Sequence, residues 1–265
     1  MSERDDRRPV PFRGGGFAPA PRRLLPWIVF FVLIAAWQAA SSAGLLPPLF
    51  MPSPAAVIDA LQVLWTNGTL AQNLGASLGR IIPGWIIGTA AGLAAGLAMG
   101  IFSAARAAGL PIVSALFPIP KIALLPLLIL WFGIGEPSKV ATIALGVFFP
   151  TVISAYSACD SVPRNLIRMG QSFGLPATDI VAKIVLPGAM PGILAGFRIS
   201  ASVALLLLVA AEMIGAQYGI GAFVLTAGNL MQTDQLLAGV VVLSILGLLI
   251  SWGLGRVERS VLRWR

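Results

Sequence analysis

Residues 160–191 read DSVPRNLIRMGQSFGLPATDIVAKIVLPGAMP, and this polar stretch separates two long apolar runs of the chain. It carries Arg164, Arg168 and Lys183, whose charges would be costly inside a lipid bilayer. The stretch therefore lies outside the membrane. The apolar runs on either side of it then cross the membrane, so the chain alternates between membrane helices and polar connections.

The first half of the stretch has the signals of a short helix. Asp160 or Ser161 can cap this helix, with Pro163 in its first turn. Gly174 followed by Pro176 supplies a stop. We therefore expect a helix that ends in a glycine turn.

The second half predicts another short helix over 179–186, with Thr178 as its cap and Pro187 at its end. Both helices carry apolar side chains on one side. These are Leu166, Ile167, Met169 and Phe173 on the first, and Ile180, Val181, Ile184 and Val185 on the second. Amphipathic helices with apolar sides in water need a partner. We expect this loop to dock on one.

The composition is that of an integral membrane protein. Of the 265 residues, 57% are hydrophobic and 11% are charged, and the mean hydropathy is +0.90. There is no histidine and there are ten acidic residues, so we expect no catalytic centre and no metal site. A GxxxxGK[ST] motif is absent, so we expect that the chain is not an enzyme and does not hydrolyse ATP. The one cysteine, Cys159, excludes an intrachain disulfide.

Six apolar runs are long enough to cross a bilayer as helices, which predicts an all-α, polytopic membrane protein. They lie at 24–43, 81–101, 110–133, 140–158, 193–215 and 235–255. A cleaved signal peptide is the alternative for the first run, although its length favours a retained helix.

The remaining segments complete the predicted organisation. Residues 1–23 form a basic tail that we interpret as disordered. Residues 24–69 hold the first crossing and an outer amphipathic connection, 70–255 form the core, and 256–265 form a second basic tail. Within 44–80 we predict two amphipathic pieces, about 55–65 and 70–78, which are too short and polar to span. Residues 216–234 form another outer connection.

The second crossing contains five glycines at intervals of four residues: Gly84, Gly88, Gly92, Gly96 and Gly100. On a helix they form a flat seam that another helix can approach closely. Alternatively, these glycines only add to the general alanine and glycine content of the helix. Five glycines at a constant interval of four residues favour a packing role instead. The seam predicts a buried helix and does not indicate what is transported.

Two ionisable side chains fall inside predicted crossings, where charge is costly and usually faces the bundle interior or water. Lys121 lies in the third crossing, which Pro118 and Pro120 should kink or break. Glu212 lies in the fifth. Both are candidates for a translocation path. Alternatively, Lys121 snorkels to the surface and Glu212 forms a salt bridge with a neighbouring helix.

Six crossings place both termini on the same side of the membrane. That side carries 15 of the 18 Lys and Arg residues, with Arg80 and Lys139 opposite and Lys121 within a crossing. By the positive-inside rule, the termini and the polar stretch face the cytoplasm.

The spacing within the polar stretch resembles the conserved cytoplasmic loop of ATP-binding-cassette (ABC) importer permeases. Gly174 is followed after nine residues by Ile184, and then by Leu186 and Pro187. The family's Glu-Ala-Ala is replaced here, and its positions hold Arg168, Met169 and Gly170. Two further runs, PIPKIALLPLLILWFGIGEPSK and VAAEMIGAQYGIG, are similar to permeases of the nitrate, sulfonate and taurine type.

The resemblance covers about residues 70–255 and implies the type I ABC importer permease fold in a bacterial plasma (inner) membrane. It implies that 160–191 is the coupling loop that docks on an ATPase subunit. The expected partners are a second permease copy, in a homodimer, two cytoplasmic ATPases that use ATP and Mg²⁺, and an extracytoplasmic binding protein. The chain itself would bind no cofactor and no nucleic acid.

The resemblance also implies a solute class. A small sulfonate, taurine-like or nitrate-like anion is the first expectation, and a thiamine precursor, a riboflavin-like compound or an aromatic solute is the alternative. A secondary transporter or channel independent of ATP is the alternative class. It predicts internal repeats and paired membrane-buried acids or polar helix breaks, whereas the sequence shows one buried acid and no convincing repeat. A structural or sensory membrane subunit is a third, which the loop match disfavours.

Overall fold

The computed structural model describes residues 24–264, which form helices and turns without a strand. The predicted disordered tail, 1–23, lies outside the described residues. The helices are α1 (Leu25–Ser42), α2 (Pro54–Thr66), α3 (Thr69–Ile101), α4 (Ser103–Leu116), α5 (Leu125–Phe132), α6 (Glu136–Asp160), α7 (Arg164–Ser172), α8 (Ala177–Gly215), α9 (Ile220–Asn229) and α10 (Thr233–Val261).

Five of these helices are long and apolar enough to cross a membrane, namely α1, α3, α6, α8 and α10. The α4 helix and the segment Lys121–Phe132, which is a 3₁₀ turn (Lys121–Leu124) followed by α5, form a sixth, broken span that bends by 87°. The break holds Pro118 and Pro120, which lack the N–H that an α-helix needs. The all-α prediction of about six crossings, with the third one interrupted, is confirmed.

The predicted separate piece at 70–78 is wrong, because these residues are the first turns of the 33-residue helix α3. Their polarity has another cause than exposure to water. Asn73, Ser77 and Arg80 lie on one face of α3 and are buried against other helices. A polar stripe that is paired inside the bundle can extend a membrane helix.

The predicted helix end at Pro187 is also wrong, since α8 runs without interruption over 39 residues. It begins after Pro176, so Thr178 is not its cap. The turn Val181–Val185 is a π-helix, in which the Leu186 N–H donates to the carbonyl of Val181. This wider turn makes room for a proline ring that would clash in a regular α-helix.

Three further boundaries differ from the prediction. Asp160 is the last residue of α6, and α7 begins at Arg164 after Pro163, so neither Asp160 nor Ser161 caps it. The outer connection 216–234 contains the helix α9. The last crossing continues to Val261, so most of the basic tail is helical.

The glycine seam of α3 lies against α6. A Cβ atom added at Gly92 would be 2.7 Å from the carbonyl oxygen of Phe148, and one at Gly96 would be 2.6 Å from that of Val152. The other three seam glycines, Gly84, Gly88 and Gly100, face Ile143, Ala144 and Cys159 of the same helix. The two helices therefore approach closely over more than four turns, and α6 also packs on α8.

Candidate functional site

The turn after α7 depends on Gly174, whose φ is +72°. Its N–H donates to the carbonyl of Gln171 (2.9 Å), and the Leu175 N–H donates to that of Gly170 (3.1 Å). These two bonds are the Schellman arrangement, in which a left-handed glycine closes a helix. Gly174 therefore fixes the direction in which the chain leaves α7.

The turn folds α7 back onto the start of α8. Gly170 is buried, and a Cβ atom there would lie 2.9 Å from Cδ1 of Ile184. Ile180 and Val185 are also buried, in a cluster that Ile184 and Leu175 help to cover. The apolar side predicted for the second helix thus packs within the chain. Leu186 and Pro187 are half-buried at the same junction.

The apolar side of α7, in contrast, is largely open. Leu166, Met169 and Phe173 are 40%, 50% and 78% exposed. Arg164 and Arg168 are exposed beside them. We call these five residues the α7 surface. It combines apolar contact area with two cations. Two of the predicted coupling residues, Arg168 and Met169, belong to this surface.

At the other end of the bundle, Arg80 joins three helices. Its Nη1 donates to Oε1 of Glu212 on α8 (2.7 Å) and to the carbonyl of Tyr218 (2.6 Å). Its Nη2 donates to Oε1 of Glu136 on α6 (2.8 Å), and its Nε donates to the other carboxylate oxygen. Lys139 lies 3.8 Å from the same Glu136 carboxylate.

Glu212 is the buried acid of this cluster, and its side chain has no exposed surface. Besides Arg80, it accepts bonds from Ser77 Oγ (2.8 Å) and from the Gly221 N–H (2.8 Å) at the start of α9. A buried carboxylate needs this degree of pairing. Glu212 therefore connects α3, α8 and α9, as the salt-bridge alternative expected.

The distribution of charges predicts that Arg80 and Lys139 lie on the outer side of the membrane but does not predict their partners. One signal was available. Asn73, Ser77 and Arg80 recur at intervals of four and three residues in a helix that continues into an apolar run. Such spacing indicates one polar face of the helix. In the structure this face is paired, and the Asn73 side chain accepts a hydrogen bond from the Gly219 N–H (2.8 Å).

Lys121 lies at the break between α4 and α5. Its ammonium donates to the carbonyls of Leu116 (2.8 Å), Phe117 (2.9 Å) and Ile119 (2.6 Å). It also lies 4.5 Å from the centre of the Phe149 ring. The ammonium thus donates to three carbonyls at the helix break, of which that of Leu116 also accepts from the Ile119 N–H (3.3 Å). Within residues 24–264, no cluster of side chains suits a metal ion.

Comparisons with known proteins agree on one family. A family model described as binding-protein-dependent transport system inner membrane component matches residues 88–263. The taurine transport system permease protein TauC of Escherichia coli (strain K12) is 38% identical over 238 residues, covering 88% of this chain and 86% of that protein. The putative aliphatic sulfonates transport permease protein SsuC of the same strain is 38% identical over 242 residues, covering 91% and 92%.

A solved structure is similar in fold. It is an inward-facing conformation of the MetNI methionine ABC transporter, which matches with a TM-score of 0.64 at 22% identity. The match covers 76% of this chain and 98% of that one. The chain therefore belongs to the family of binding-protein-dependent transport system inner membrane components, as a multi-pass permease subunit of an ABC importer with the type I fold.

Proposed function

We propose that this permease imports a small oxyanion, either of the taurine or aliphatic sulfonate class or nitrate-like. The observation that carries this assignment is the 38% identity, along nearly the whole chain, to permeases named for taurine and for aliphatic sulfonates. A binding protein outside the membrane would select the solute and deliver it.

The α7 surface is the docking site for a cytoplasmic ATPase subunit in this proposal. Leu166, Met169 and Phe173 supply apolar contact area, and Arg164 and Arg168 favour a partner groove with acidic side chains. The cytoplasmic location follows the excess of Lys and Arg at this end of the bundle. Two ATPase subunits would bind ATP and Mg²⁺, while this chain binds neither.

Contacts within the chain can transmit a movement of the ATPase from α7 through α8 to the opposite end of the bundle. Gly170 packs closely on Ile184, so a displacement of α7 moves the start of α8. Because α8 is one helix of 39 residues, about 58 Å long, its movement extends to Glu212 near the other end. There the Arg80–Glu212 pair connects it to α3.

A translocation path calls for a second copy of the chain, because a route through one bundle of six spans would be poorly enclosed. We place the path between the two copies of a homodimer, beside the broken span α4–α5. Lys121 contributes positive charge at this break, which suits an anionic solute. Glu212, being buried and paired, holds the outer end together without touching the solute.

The test is uptake into vesicles that contain the permease with its ATPase subunits and binding protein. Uptake of radiolabelled taurine or an alkanesulfonate should require ATP and all three components. Uptake by the permease alone would contradict the proposal and support an ion-driven transporter.

A second measurement identifies the solute. The melting temperature of the binding protein should rise with taurine, an alkanesulfonate or nitrate, since a ligand stabilises the folded state that binds it. A rise with only a thiamine precursor, a flavin or an aromatic acid would leave the assignment as an ABC importer unchanged but would contradict the proposed solute class.

A further inference from the structure

One exposed face of α10 changes from apolar to cationic along its length. Its apolar part is 49–70% exposed and consists of Ile245, Leu248, Leu249 and Trp252. The same face continues, at intervals of four and three residues, with Arg256 and Arg259, and Arg263 completes the set of three arginines from the turn that follows α10. We call the first set the apolar stripe and the second set the arginine cluster.

The arginine cluster lines a single recess together with Ser260. Among residues 24–264, no carboxylate lies within 4.0 Å of its guanidinium groups. The adjacent Glu258 is paired elsewhere, with Arg198 of α8 at 2.5 Å. The recess therefore presents guanidinium donors that are suited to the oxygens of an anion.

Trp252 marks the level at which the face changes character. The Arg256 guanidinium lies 4.6 Å from the centre of the Trp252 ring. Tryptophan side chains are enriched at the boundary between hydrocarbon and water. The apolar stripe then lies within the hydrocarbon, and the arginine cluster begins at the level of the lipid headgroups.

We infer that this face binds an anionic phospholipid, with the headgroup phosphate in the arginine cluster and an acyl chain along the apolar stripe. Basic recesses beside membrane helices favour anionic headgroups. A free phosphate ion would leave the apolar stripe without a role. A second copy docked through the same face would place three arginines against three arginines across a two-fold axis, which like-charge repulsion disfavours.

The test uses the detergent-purified full-length permease and native mass spectrometry. Retained lipid is counted after addition of phosphatidylglycerol or of phosphatidylcholine with the same acyl chains. The permease should retain phosphatidylglycerol preferentially. Replacing the cluster by R256Q, R259Q and R263Q should weaken that retention about fivefold per arginine, or roughly a hundredfold in total.

A matched triple variant removes three other exposed cations from the same end of the bundle, as R164Q, R168Q and K183Q. It should retain phosphatidylglycerol as the original protein does. Equal loss in both triple variants would overturn the inference, because retention would then follow net charge alone.

Two further outcomes also overturn it. Displacement of the lipid by excess glycerol phosphate would mean that the acyl chain contributes nothing and the site is one for soluble phosphates. Unchanged lipid retention by R256Q/R259Q/R263Q, with loss of the copurifying ATPase, would assign the cluster to a protein partner.

Discussion

Arg80 Nη1 lies 2.7 Å from Glu212 Oε1, and the two side chains are 3% and 0% exposed. The two residues are 132 positions apart in sequence, and their pairing joins α3 to α8. Removing one partner of a buried pair leaves an uncompensated charge. We therefore expect Arg80→Met to lower the free energy of unfolding by about 3–5 kcal/mol, measured by thermal unfolding in detergent.

The control for this variant is Glu136→Gln. The Glu136 side chain is 61% exposed, so its loss should cost no more than about 1 kcal/mol. Equal effects of the two variants would contradict a dominant role for the Glu212 pair.

Gly219 is a second test of the same cluster. Its φ is +137°, and a Cβ atom there would lie 2.6 Å from Arg80 Nη1. Gly219→Ala combines backbone strain with a clash and should cost at least about 1–3 kcal/mol. Gly215→Ala, four residues earlier, meets nothing within 4 Å and should change stability by less than about 0.5 kcal/mol. A stable Gly219→Ala variant would show that the cluster adapts to the added atom.

Variants of Lys121 can distinguish a structural role of this side chain from contact with the solute. Lys121→Met removes the donor to the carbonyls of Phe117 and Ile119 and should cost about 1–3 kcal/mol, with lower uptake of every solute the importer accepts. Lys121→Arg retains the charge and should lose less. A raised KM for the solute in Lys121→Met, with unchanged thermal stability, would assign Lys121 to solute contact instead.

The number of crossings and the glycine seam were predictable because each depends on local chemistry. A run of about 20 apolar residues spans a bilayer, and glycines four apart share a helix face. Pro118 and Pro120 predicted the break in the third crossing because a proline has no N–H to donate.

The Arg80 cluster was not predictable in the same way, since its members come from separate helices. Counting charges placed Arg80 on the outer side of the membrane, but only tertiary packing brings it to Glu212. The helix end predicted at Pro187 was wrong for a related reason. A proline usually ends a helix, whereas here the π turn Val181–Val185 lets α8 continue past it.

Gly174 tests the geometry of the coupling loop. Its φ of +72° suits glycine or asparagine and strains a β-branched side chain. We expect Gly174→Val to insert into the membrane normally but to lose most of the copurifying ATPase, whereas Gly174→Asn should retain it. Unchanged ATPase recovery and uptake in Gly174→Val would show that this turn is not needed for docking.

Cross-linking from the α7 surface tests whether the ATPase subunit docks there. Cys159 is the one cysteine of the chain, so Cys159→Ala provides a background without thiols. In it, Phe173→Cys replaces a side chain that is 78% exposed, and Tyr218→Cys places a control thiol at the opposite end of the bundle. With a thiol-attached photoactivatable cross-linker in the assembled importer, Phe173→Cys should capture the ATPase subunit and Tyr218→Cys should not. Capture from Tyr218→Cys, or none from Phe173→Cys, would contradict docking at α7.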